Sequence, residues 1–105
     1  MASVSPDCLL GQTPVTVLDV RTHLEHRTVA LTCPHLHVPL DELDVAKLIA
    51  TDHLDTTKPL YLLCRSGARA SQAAEPFTKA GHKNIHVIEG GMVACEALAV
   101  PVVKG

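Results

Sequence analysis

The stretch Leu62-Leu63-Cys64-Arg65-Ser66-Gly67-Ala68-Arg69-Ala70, "LLCRSGARA", puts a cysteine directly after an apolar run, then two arginines around a glycine. The apolar run begins at Leu60, after Lys58-Pro59, and reads as a buried strand. Beyond the loop, Ala70, Ala73, Ala74, Phe77 and Ala80 recur at helical spacing, and Gly81 supplies a stop. Pro76 inside that helix predicts a kink or a carbonyl left without its donor. A strand, a short loop and a helix in that order is the unit from which parallel sheets are wound.

Similar units lie on either side. Val15-Thr16-Val17-Leu18 follows the turn-like Gly11-Gln12-Thr13-Pro14 and reads as a strand ending at Asp19. Ile85-His86-Val87-Ile88 is bounded by Asn84 and by Glu89-Gly90-Gly91, and Leu36-His37-Val38 is stopped by Pro39. Ala2-Ser3-Val4 reads as an edge strand, and Ser5-Pro6-Asp7 starts a small helix with serine as cap. Leu43, Ala46, Ile49 and Ala50 form a helical stripe entered through Asp41 and Asp44, and Met92 to Leu98 follows the glycine pair as a last helix. Strands that are apolar throughout need cover on both faces. The expectation is an α/β fold: one domain over residues 1–105, with a central, mostly parallel five-stranded sheet and helices on both faces. In such folds the working site lies beyond the carboxyl ends of the strands. That rule points to the loop after Leu63, and to Asp19 and Arg21.

Composition removes several classes of function. The formal net charge is −2, with no basic face to suggest nucleic-acid binding. Aromatic residues make up 2% of the chain, Tyr61 and Phe77, so stacking platforms for bases are not expected. The N-terminus lacks a basic start and a long apolar run, and no segment reaches bilayer length, so the expected location is the cytoplasm. With 47% apolar residues a core forms without cross-links, and Cys8, Cys33, Cys64 and Cys95 read as free thiols.

The loop after Leu63 has a physical logic of its own. A chain that turns at Gly67 can aim several backbone N–H groups inward, and such a concavity holds anions. The start of the following helix adds unpaired N–H groups and the positive end of its dipole. Arg65 and Arg69 add full positive charge. Each of these features favours an ionised, reactive sulfur at Cys64.

Several ordered motifs resemble one family. Cys64-Arg65-Ser66-Gly67-Ala68-Arg69 is similar to the active loop of rhodanese-type sulfurtransferases, C-R-S-G-x-R. Leu18-Asp19-Val20-Arg21 with Glu25 resembles that family's first motif, and Val38 to Leu43 ("VPLDEL") its proline segment. Glu89 to Met92 ("EGGM") and Pro101 to Val103 resemble its C-terminal signature. The resemblance implies a thiosulfate sulfurtransferase of the single-domain type. It implies that Cys64 takes sulfane sulfur as a covalent persulfide, with no other cofactor and no metal. The acceptor would be cyanide, a thiol or a thioredoxin-like protein. The backbone from Arg65 through Ser66, Gly67, Ala68 and Arg69 to Ala70 would cradle the sulfur anion. Arg65 would attract anionic donors, and Arg69 would fix the loop or hold a sulfonate. Asp19 and Arg21 would brace the site, with an ion pair between Arg21 and Glu25. Two departures stand out: Thr28 to Pro34 replaces the family's glycine-histidine-isoleucine and glycine-alanine stretch, and Cys95 replaces a tryptophan in the last helix. The smaller residue leaves volume to fill.

Other readings compete. A phosphatase or arsenate reductase of the same fold would need a wider loop, with one more residue between cysteine and arginine than the four present here. A sulfur-relay module without small-molecule turnover would use the same cysteine. Cys33, His35 and His37, with His23 and His26, could suggest a metal, but C-P-H-L-H is not a zinc spacing, and these histidines read as solvated side chains near a strand edge. No C-x-x-C pair is present, so disulfide chemistry would need a partner brought through space, and Cys33 is the thiol expected to be most exposed. Gly90-Gly91 lacks the spacing of a dinucleotide fingerprint and reads as a tight turn.

Overall fold

The computed structural model describes residues 2–10, 15–51, 54 and 57–105. The expected turn at Gly11–Pro14 lies outside the described residues. The central sheet contains β1 (Ala2–Val4), β2 (Thr16–Asp19), β4 (Leu36–His37), β5 (Leu60–Leu63) and β6 (Ile85–Ile88). Their order is β1-β6-β5-β2-β4, and every neighbouring pair is parallel. The expected five-stranded parallel sheet is therefore present, with β5 at its centre. A second, two-stranded sheet pairs β3 (Val29–Leu31) with β7 (Val102–Lys104) antiparallel.

Alternation along the strands sends side chains to opposite faces. Leu18, Leu60, Leu62, Ile85 and Val87 join α2 (Val45–Thr51) and α3 (Ala68–Lys79) on one face, where Phe77 is fully buried. Val17, Leu63 and Ile88 join α4 (Gly91–Ala97) and the β3–β7 ribbon on the other. Each such side chain taken from water contributes roughly 1.5–3 kcal/mol. Cys95 is fully buried in this second cluster, beside Leu31, Met92 and Val100. Among the described residues no helix is long and apolar enough to cross a membrane.

Four local expectations are decided by the structure. The α2 stripe holds in part: Leu43 and Ile49 pack against the core as expected, whereas Ala46 and Ala50 are exposed and Val45 and Leu48 are buried in their place. Asp44 accepts the Lys47 N–H (3.1 Å) at the helix start. Ala80, placed in the α3 stripe, is instead its exposed C-cap. Helix α3 runs through Pro76 unbroken, because the proline sits on the exposed side, where the carbonyl it leaves without a donor can meet water. The small helix after Ser5 is a 3-10 turn over Pro6–Leu10.

Candidate active site

Cys64 is the first residue past β5, at the carboxyl end of the central strand. Its side chain is 1% exposed and belongs to the α2–α3 side of the core. The sulfur nevertheless faces the loop: Gly67 donates its N–H to Cys64 Sγ at 2.9 Å. Gly67 has φ +111° and caps α3, a conformation that a side chain would strain by about 1–3 kcal/mol. The N–H groups of Ala68, Arg69 and Ala70 open α3 and have no acceptor within the helix. Arg65, Ser66 and Ala68 are exposed, whereas the Ala70 side chain is buried in the core and only its backbone belongs to the loop.

The far side of the loop is held by α4. Met92 donates its N–H to the Cys64 carbonyl (2.8 Å) and Val93 to the Arg65 carbonyl (3.2 Å). Gly91 makes this approach possible. A Cβ there would overlap the Cys64 carbonyl oxygen and lie 2.6 Å from the Arg65 carbonyl, and its φ is +55°. Sequence reading finds a turn at Gly90-Gly91; the structure adds that the turn presses the helix start against the cysteine loop.

The supporting residues meet, but not in the expected pairs. Asp19 and Arg21 are both buried, and the Arg21 guanidinium grips both Asp19 carboxylate oxygens, the shortest contact being Nη2 to Oδ2 at 2.7 Å. Arg21 also donates to the backbone carbonyls of Glu25 (3.3 Å) and Val29 (2.7 Å), stitching β2 to α1 (His23–Thr28) and β3. The expected Arg21–Glu25 ion pair is therefore replaced. The nearer Asp19 takes the guanidinium, and the Glu25 carboxylate turns to Arg69, with contacts of 2.6 and 2.8 Å. Glu25 also completes a capping box with Thr22. The Arg69 guanidinium, first, and Thr22 with it, hold the Glu25 carboxyl down at about 2, against burial. In return Glu25 raises Arg69, with a smaller contribution from the nearby Cys64 sulfur.

Arg65 makes no ion pair among the described residues, and it lines a cavity of about 470 Å³ with Arg21, Glu25, Val29 and Met92. The other thiols stand differently. Burial pushes the Cys95 thiol up to about 11, and burial raises Cys8 and Cys33 as well. Cys33 is half-buried, as is Cys8, whereas Cys64 and Cys95 are buried, and all four cysteines are free. The histidines are not separately solvated: His26 stacks on His37 with ring centroids 4.0 Å apart, and His35 closes on the same group.

The rhodanese-like domain family profile matches residues 8–98. A rhodanese-related protein from Thermoplasma volcanium is 26% identical, with 98% of each chain covered and a TM-score of 0.72. A rhodanese-like domain protein from Staphylococcus aureus is 25% identical over 90% of each chain, with a TM-score of 0.69. The rhodanese-like domain of an Anabaena protein shares the fold, with a TM-score of 0.77 at 21% identity, over 94% of this chain and 72% of that one. No curated protein matches the sequence.

Proposed function

The chain belongs to the rhodanese-like domain family, and on that premise we propose that it is a sulfurtransferase working through a persulfide on Cys64. The observation that carries the reading is the Gly67 N–H donated to Cys64 Sγ at the mouth of α3. The Cys64 thiolate attacks the outer sulfur of thiosulfate. The new S–S bond forms on Cys64 as the donor's own S–S bond breaks, and sulfite leaves with the bonding electron pair. The terminal sulfur then carries the negative charge, and the loop amides stabilise it. A thiophile such as cyanide attacks that terminal sulfur, leaves as thiocyanate and returns the thiolate. A thiol or a thioredoxin-like protein can take the sulfur in the same way.

In this reading Arg69 positions the loop, because Glu25 already occupies its guanidinium. Arg65 draws anionic donors, and access runs along the exposed Arg65–Ser66 side. Asp19 and Arg21 hold the ends of β2 and α1 and take no part in bond making. The four-residue gap and the paired Arg69 both speak against phosphate transfer, which needs a guanidinium free to hold an oxyanion. A cytoplasmic location, where free thiols stay reduced, fits this reading. The test is a steady-state assay with thiosulfate and cyanide. Parallel double-reciprocal lines, as in ping-pong turnover, are expected. Turnover retained by Cys64→Ser, or phosphatase activity without thiocyanate formation, would overturn the reading.

A further inference from the structure

Away from the cysteine loop, His26, His35 and Asp19 point one ligand atom each into a common space. Those atoms all lie within 4.8 Å of one another. We propose that these residues form a binding site for a divalent transition-metal ion of the zinc class. His26 comes from the last turn of α1, His35 from the turn before β4, and Asp19 from the end of β2. The fold assembles them, since α1 lays its histidines across the start of β4.

The two Nε2 atoms of His26 and His35 are 2.8 Å apart. His35 Nδ1 lies 2.9 Å from the Cys33 carbonyl oxygen, which can only accept, so that nitrogen carries the hydrogen. His35 Nε2 then accepts a hydrogen bond from His26 Nε2–H, and an ion takes the place of that shared hydrogen once His26 carries its own on Nδ1. A backbone carbonyl orienting a ligand histidine in this way is the usual outer support of a metal site. His26 is fixed from the other side: its ring lies flat against His37, at 6° between planes. His37 is itself anchored by its Nε2 on the Arg21 carbonyl, at 2.8 Å. Ions of this class bind imidazole and carboxylate at about 2.0–2.2 Å, and ligand atoms within 4.8 Å of one another lie in range of a single ion once the two imidazoles part slightly. Two nitrogens and an oxygen favour zinc, cobalt, nickel or copper over magnesium or calcium. Three protein ligands leave a coordination position for water. Asp19 also holds Arg21, so the ion shares this carboxylate with a guanidinium and binds less tightly than in a dedicated structural zinc site. The inference does not depend on the sulfur-transfer reading.

The test is titration of the full chain with Co²⁺ at neutral pH, followed by displacement with Zn²⁺. A saturable, stoichiometric visible band is expected, without the strong near-ultraviolet absorption of a cobalt–thiolate bond. His26→Gln and His35→Gln are each expected to weaken binding more than about tenfold while keeping the wild-type circular dichroism spectrum. His86→Gln, on β6, is expected to bind as wild type. Absence of saturable binding, a thiolate band, or unchanged affinity in both folded histidine variants would overturn the proposal.

Discussion

The two loops that leave the central strands at their carboxyl ends are held by different means. The loop after β5 is held by backbone: the Gly67 N–H reaches Cys64 Sγ, and the Met92 and Val93 N–H groups reach the Cys64 and Arg65 carbonyls. The loop after β2 adds an interlocked set of side chains to its main-chain bonds: Asp19 is held by Arg21, Thr22 by Glu25, and Glu25 in turn by Arg69. The difference separates the two roles. A loop fixed by its main chain keeps its sulfur and the Arg65 side chain available to a donor. A loop whose charged side chains are engaged with one another offers none to the sulfur reaction, and serves there as a brace.

This contrast predicts a graded series of damage. Gly91→Ala is expected to cost the most, since its methyl group meets the Cys64 carbonyl and the positive φ adds strain. Sulfur transfer should fall below detection even in whatever fraction stays folded; wild-type activity in a folded Gly91→Ala would show that α4 does not hold the loop. Asp19→Ala leaves Arg21 buried without its counter-charge, at a cost of roughly 3–5 kcal/mol. Urea unfolding should record that loss, while the folded fraction still loads sulfur on Cys64. An Asp19→Ala protein that is stable but unable to load sulfur would give Asp19 a chemical role.

Glu25→Gln is the mildest, because the Glu25–Arg69 pair is 27–31% exposed and water screens it to about 1 kcal/mol or less. Its pH dependence has a definite sign. Glu25 titrates near 2 in the folded protein against an ordinary 4.5, so the folded state favours the charged form. The stabilisation is complete above the unfolded value and disappears as pH falls through the folded one. The stability gap between wild type and Glu25→Gln should therefore be constant above about pH 5 and close towards pH 2. A gap that widens in acid would contradict the pairing.

The parts of the fold legible in sequence are those with a local signal. β2, β5 and β6 are apolar runs with turn residues at their ends, and α3 repeats alanine and Phe77 at helical spacing. The β3–β7 ribbon carries no such signal, because three-residue strands show little periodicity and Leu31 pairs with the distant Val102. Helix α1 has no buried residue and hence no apolar stripe; its readable mark is the capping box from Thr22 to Glu25. At the site, Cys64 and Gly67 were readable because their relation is local. The Arg69–Glu25 pair, 44 residues apart, has no local signal, and the nearer Arg21 stands in the sequence as the more obvious partner of Glu25. The histidines are visible in the sequence, but not which of them meet: α1 has to form before His26 can reach His35 and His37.

The most direct measurement is intact mass after brief exposure to thiosulfate, with no acceptor present. The chain is expected to gain the mass of one sulfur atom, to lose it on adding cyanide, and to gain nothing in Cys64→Ser. A wild-type chain whose mass does not change, or a Cys64→Ser chain that still takes up sulfur, would contradict the assignment of Cys64 as the sulfur carrier.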